Sequence, residues 1–232
     1  MDTSTTAVIP PATPDLDAVL NSLLDMAGLV ENSVRQALYA LRGLKQSEAS
    51  QVFLGEARIN EMEVEIDEKA IQLLARGPMG EIPLRLLIAT LRITNDLERL
   101  GDQAVNVAER IVSLQSRQPT LPPRELALMA DAVELMVSNA LQALSGRRLA
   151  LAQQVLESDD RVDDYAESLG RLLVREMERT PASVPAQVEL LLASRNMERM
   201  ADHATNIAED VIYWLQGWDV RHRLRALTVP GL

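Results

Sequence analysis

The sequence predicts an all-α protein: two pseudo-repeated antiparallel three-helix bundles, six helices in all. Three observations carry that prediction. The stretch LERLGDQAVNVAER at residues 97–110 returns one hundred residues later as MERMADHATNIAED at 197–210. Aromatic side chains are scarce, with two Trp, three Tyr and one Phe in 232 residues, while Leu, Ala, Val, Met, Glu and Arg dominate; this mixture suits helix packing better than sheet faces. Clusters of Gly, Pro and Ser then cut the chain into segments of helical length.

Taken in order, residues 1–14, MDTSTTAVIPPATP, read as a flexible polar leader without the basic and apolar regions of a secretion signal. Helix one runs from the leader to the break GLKQSEAS at 43–50, and helix two from there to RGPMGEIP at 76–83. Helix three fills the space up to QPTLPP at 118–123. The first bundle therefore covers 15–118 and is joined by a linker, 119–124, to a second bundle at 125–218. Breaks at LSGRR, 144–148, and RTPASVP, 179–185, divide that bundle into helices four, five and six. The connections within each trio are short, which makes neighbours antiparallel. Residues 219–232 form a tail.

Helix three carries Leu86, Thr90, Ile93, Leu97, Leu100, Ala104, Val107 and Ile111 at alternating spacings of four and three, the signature of a packing seam. Helix six repeats it as Ala186, Leu190, Ala193, Met197, Met200, Ala204, Ile207 and Val211. The methionines belong to the core on this reading.

The carboxylates need more explanation. Glu98 and Asp102 stand four apart, as do Glu198 and Asp202, so each pair of like charges shares a helix face at the rim of the seam. Helix two offers Glu56 and Asn60, with Glu63 and Asp67 continuing the line, and helix five offers Asp159 and Asp163. Folding each hairpin aligns them. The pairs 56/102 and 60/98 are symmetric about Met79, the pairs 159/202 and 163/198 about the Thr180–Pro181 bond, and both centres fall in expected turns. Four oxygen-bearing side chains should therefore meet at one level in each bundle. A hydrogen-bonded polar layer or a solvated acidic face would account for any one pair. The mirrored duplication points instead to a compensating cation, because close carboxylates resist joint ionisation; oxygen-only ligands suit Mg, Mn, Ca or Fe rather than a soft metal.

Composition narrows the function. The formal charge is -11 at pH 7 and is offset only by the short basic run Arg221–Arg225, so nucleic acid and anionic membrane are poor bulk partners. No uncharged apolar stretch reaches the roughly 18 residues of a membrane span. Cysteine is absent, which suits a reducing compartment, and the cytoplasm is the expected location. Neither His203 nor His222 has a Glu three residues before it, as a dimetal-carboxylate enzyme site would need, and no phosphate-cradling glycine loop or nucleophile elbow is evident. Catalysis is not expected.

The two repeated stretches, with the upstream EARINEMEVEIDEKAIQLLA and DDRVDD, resemble the PhoU family of phosphate-signalling accessory proteins over about residues 15–217. The resemblance implies paired three-helix bundles whose acidic E(D)xxxD motifs hold divalent or ferric metal clusters through oxygen, with Fe, Mn, Mg or Zn as candidates. Carried over residue by residue, the ligands are Glu98, Asp102, Glu198, Asp202, Asp159 and Asp163, with Glu56 and Asn60 as the helix-two equivalents. The resemblance also implies a negative regulator that couples the ATPase of a phosphate ABC transporter to a phosphate-sensing histidine kinase. Such a protein would be peripheral to the membrane through its partners, bind no nucleic acid and associate as a homodimer. The alternatives are an accessory regulator of a low-affinity phosphate permease and a metal-free helical adaptor. Arg99 and Arg199, exposed beside the acidic motifs, are the expected partner contacts; an ion pair within the chain is their simpler role. The chain departs from the family pattern at Pro83, at Gln103 where His203 stands in the second copy, and at Asn60 where the second copy has Asp163; weaker metal binding is expected in the first bundle.

Overall fold

The computed structural model describes residues 14–115, 122–217 and Val220. Among these, six α-helices follow one another: α1 (Pro14–Gly43), α2 (Gln46–Ala75), α3 (Glu81–Gln115), α4 (Arg124–Gly146), α5 (Leu149–Arg179) and α6 (Val184–Gln216), with a 3-10 turn at Pro181–Ser183 leading into α6. Every expected break coincides with a helix end. Nearly all of the leader, half of the linker and the basic run Arg221–Arg225 lie outside the described residues.

Local chemistry explains the ends. Gly217, at φ 75°, closes α6 in the left-handed conformation that glycine adopts without a side-chain clash, and its N–H donates to the Tyr213 carbonyl at 2.8 Å. Arg147 ends α4 the same way at φ 52°, its guanidinium lying 5.3 Å from the Trp214 ring centroid. Pro185 sits in the first turn of α6, where a missing N–H costs nothing.

Helices α1, α2 and α3 pack together as one antiparallel trio, and α4, α5 and α6 as the other. Both seams are buried along their full length, from Leu86 to Ile111 and from Ala186 to Val211. Burial extends beyond them. Leu87, Ala89, Thr94, Gln103 and Ala108 on α3, and Gln187, Glu189, Ala201, Ala208 and Asp210 on α6, are buried as well. The cause is that α3 packs on α6 more extensively than any other two helices pack, while α1 touches α4.

This α3–α6 contact is polar along one edge. Asp96 meets His203 Nδ1 at 2.8 Å and accepts from the Asn206 amide at 3.0 Å. Arg92 pairs with Asp210 at 3.1 Å, and Glu189 accepts from Ser113 at 2.7 Å and faces Arg110 at 3.4 Å. These pairs set an antiparallel register that brings Leu100 level with Met200, its own equivalent in the repeat. A local two-fold axis therefore runs between the bundles and fuses them into one six-helix body. Arg92 of α3 is one of the cross-bundle links.

By length and composition α4 could cross a membrane, although half of the relevant window is buried inside the bundle. Its acids Asp131 and Glu134 both bond to Arg42 of α1, at 2.8 and 2.6 Å. This helix is packing material between α5, α6 and α1.

One close approach fixes how near α2 comes to α3. A Cβ added at Gly101 would lie 3.2 Å from Ile59 Cδ1 and 3.4 Å from Ile59 Cγ2. Gly101→Leu is expected to force the helices apart and lower stability by about 1–3 kcal/mol. A urea midpoint equal to that of the unsubstituted protein would show that the contact yields freely.

Candidate functional site

The hairpin registers expected from the sequence place the acidic residues. In the second bundle, Gly170 lies closest to Leu191, Cβ position to Cδ1 4.0 Å, and that pair is symmetric about the Thr180–Pro181 bond like 163/198 and 159/202. Asp163 and Glu198 accordingly line one groove between α5 and α6. One turn further along, Asp159 is half-buried and accepts a hydrogen bond from the Thr205 hydroxyl at 3.3 Å. Burial raises the Asp159 carboxyl above its ordinary range; the nearby charges of Asp163, Asp202 and Asp160 push it further up, and the Thr205 bond opposes them. All four expected donors of this bundle, Asp159, Asp163, Glu198 and Asp202, thus occupy neighbouring positions on α5 and α6. Glu198 is also held by Arg195 at 2.9 Å.

The first bundle differs from expectation in one respect. Its register is as expected, since Glu63 faces the Asn95 amide, a pair symmetric about Met79. Asn60, however, is exposed, and Glu56 is only half-buried. The α2 carboxyl groups that share a field with Glu98 and Asp102 are those of Glu63 and, behind it, Asp67. The reason is angular. On a helix of 3.6 residues per turn, Glu63 lies closer than Asn60 to the buried face of Ile59, Met62 and Ile66. The sequence held a signal for this, because Glu63 and Asp67 extend the Glu56–Asn60 line.

Electrostatics ties the group together. Glu98 is raised first by burial, next by Asp102 and also by Glu63, while Arg99 lowers it. Glu63 is raised by burial, then by Asp67 and Asp102, and lowered by Arg99 and the Asn95 amide; Asp67 is raised by burial alone. One Glu98 oxygen, Oε2, is buried without a hydrogen bond. With Glu63 and Asp67 present, the first cluster is not short of charge on account of Asn60.

Arg99 is exposed and forms ion pairs within its own helix. Its Nε lies 3.4 Å from Glu98 and its Nη1 3.8 Å from Asp102, so it partly neutralises the acids beside it. Arg199 is exposed. His203, the residue that Gln103 replaces in the first copy, is engaged with Asp96 across the bundle interface and is not part of an acidic cluster.

These groups can act as hard oxygen donors. Among the described residues no three His, Asp or Glu side chains converge to enclose an ion. The carboxyl groups stand in rows along paired helices, so a cation bound there would keep part of its water shell or draw the side chains inward. Burial first, and the neighbouring carboxylates second, raise Glu98 and Asp159, and this repulsion together with the donor chemistry fits a divalent or trivalent cation.

Comparison with known proteins places this geometry. A family model described as the PhoU domain matches twice, at residues 23–111 and 126–211. Proteins described as phosphate-specific transport system accessory protein PhoU homologs are similar along most of their length. The one from Pseudomonas putida is 37% identical over 211 residues, covering 90% of this chain and 82% of the relative. The one from Pseudomonas aeruginosa is 38% identical over 211 residues, covering 90% and 86%. The crystal structure of PhoU from Pseudomonas aeruginosa superposes with a TM-score of 0.84 at 36% identity, covering 88% of this chain and 98% of that one. The phosphate transport system regulatory protein PhoU from Streptococcus pneumoniae gives 0.80 at 25% identity, covering 88% and 97%.

Proposed function

This chain belongs to the PhoU family, whose members are accessory or regulatory proteins of phosphate transport, and on that premise we propose that it is a cytoplasmic, metal-binding adaptor that restrains phosphate uptake and phosphate-starvation signalling by coupling a phosphate ABC transporter to a sensor histidine kinase. The observation that carries this reading is the duplicated acidic pair: Glu98 and Asp102 recur as Glu198 and Asp202, with Glu63 and Asp67 of α2 beside the first and Asp159 and Asp163 of α5 beside the second.

These residues would hold the cation. A bound di- or trivalent ion would supply charge compensation for carboxylates that repel one another. The chain's own contribution is to fix the rows. Buried seams hold α2 on α3 and α5 on α6, Thr205 orients Asp159, and Arg99 and Arg195 screen the near ends. The protein acts by binding, and its exposed Arg199 is free to meet an acidic partner surface beside the second cluster.

Deleting the gene is expected to leave phosphate-starvation genes switched on in phosphate-rich medium, and restoring the wild-type chain should switch them off. Arg199→Ala is expected to restore repression only in part while circular dichroism and metal content stay at wild-type values. Normal repression in the deletion strain, with no paralogue present, would remove the kinase-coupling role and favour a permease accessory.

A further inference from the structure

The way the chain leaves α6 gives the basic run Arg221–Arg225 a destination. Gly217, in its left-handed turn, packs so closely beneath Arg85 of α3 that an added Cβ would collide with the guanidinium. The pairs Arg92–Asp210 and Asp96–Asn206 fix the α3–α6 register, and the same register sets Gly217 level with Arg85. Val220, three residues on, is partly buried against the hydrophobic core. The chain is thus carried from the end of α6 onto the beginning of α3 and held there.

What it meets is a second stripe on α3, outside the packing seam. Leu84, Ile88, Leu91, Asn95, Glu98 and Asp102 follow one another at alternating spacings of four and three, and none of the six is buried. The stripe begins apolar and ends in the first acidic cluster. Leu84 is 37% exposed, and Leu74, which faces it across the α2–α3 turn, is 40% exposed. The sequence after Gly217 has the complementary pattern: Val220, Leu224 and Leu227 stand at spacings of four and three, interleaved with Arg221, Arg223 and Arg225. The distances also agree. Starting level with Arg85, the level of Asp67 lies about 9 Å further along α3 and that of Glu98 about 20 Å at helical rise, while Arg221 and Arg225 reach at most about 13 and 26 Å past Gly217.

We propose that residues 220–227 fold back along this outer face of α3, placing Leu224 and Leu227 on Leu84, Ile88 and Leu91 and the three arginines over Glu63, Asp67, Glu98 and Asp102. The segment is then a built-in counter-ion for the first cluster alone, because Gly217 delivers the chain to α3. Its competition with a bound cation rests on the metal-binding reading above: the docked chain takes up metal at the second cluster before the first.

The full chain contains no cysteine, so introduced thiols can be followed without background. In chelator, with glutathione disulfide as oxidant, Ile88→Cys with Leu224→Cys is expected to close an intramolecular disulfide at least about tenfold faster than Leu54→Cys with Leu224→Cys; residue 54 lies about 24 Å further along the hairpin. Circular dichroism checks that both variants fold. Equal closure rates would overturn the docking. Neutralising the segment by Arg221→Gln, Arg223→Gln and Arg225→Gln should slow closure of the first pair. In a chain whose second cluster is silenced by Asp159→Asn and Asp202→Asn, the same neutralisation should raise Mn²⁺ affinity at least about fivefold, the worth of one exposed ion pair. An unchanged Mn²⁺ affinity would overturn the counter-ion role. Absence of Mn²⁺ binding in the wild type and every variant would instead remove the metal reading, and the disulfide rates would still decide the docking.

Discussion

Truncating Leu100 to alanine is expected to lower the unfolding free energy by about 2–5 kcal/mol, and Met200→Ala should cost a comparable amount. Both side chains are fully buried, and they are equivalent positions lying level with each other beside the local two-fold. Removing either leaves a void in an interior packed from several sides, since α3 touches α1, α2 and α6, and α6 touches α3, α4 and α5. The loss therefore combines transfer free energy with a cavity that neighbouring helices cannot close. Two controls isolate the cause. Leu100→Met conserves volume and should cost less than about 1.5 kcal/mol, while Leu54→Ala removes a side chain that is 76% exposed and should change stability by no more than about 0.5 kcal/mol. Urea titration gives the answer through the midpoint at unchanged slope. If Leu100→Ala behaves like Leu54→Ala, the two-fold interface is not where the structure puts it.

The second large effect concerns the acidic cluster on α5 and α6. In chelator, the protein is expected to lose stability as pH rises from just above 3.8, the ordinary value for an aspartate, through the raised value of Asp159. A carboxyl raised in the folded state binds more protons there than in the unfolded chain, so stability falls with increasing pH across that window and stays at the lower level above it. Asp159→Asn removes this carboxyl's share and should make the profile shallower and raise stability at neutral pH, the raised Glu98, Glu63 and Asp67 carrying the remaining slope. Adding Mn²⁺ or Mg²⁺ at neutral pH should reverse the order. The wild type would gain about 2.7 kcal/mol at a hundredfold excess over the dissociation constant, and Asp159→Asn with Asp202→Asn would gain little. A double variant stabilised by metal as strongly as the wild type would show that these carboxylates are not the ligands. Asp102→Asn provides the comparison for the first bundle, where Glu63 and Asp67 keep the charge high and the metal response should be similar.

How much of this was legible in the sequence differs from residue to residue. The seam from Leu86 to Ile111 and its copy from Ala186 to Val211 could be read directly, because helix periodicity turns spacing into a face. Asp163 and Glu198 could be paired across a hairpin because an antiparallel turn relates positions by reflection. Glu63 was harder to place. Reflection gives the height of a residue but not its angle about the axis, and the angle decides that Glu63 approaches Glu98 while Asn60 points to solvent. Arg92 and Asp210 could not be paired from the sequence at all, since they lie on helices of different bundles.

The sequence by itself determined six helices, their ends, the two seams, the duplication and the register of each hairpin. These follow from local rules: glycine and proline stop helices, spacing makes faces, and short turns reverse direction. Only the tertiary structure decided that α3 packs on α6. That contact buries Gln103, Glu189 and Asp210, pairs Arg92 with Asp210, fuses two bundles into one body and leaves α2 and α5 as the outer helices. The physical reason is that docking one bundle on another depends on the sum of many weak contacts between surfaces distant in the chain, and no spacing within either helix records which surface the other will meet.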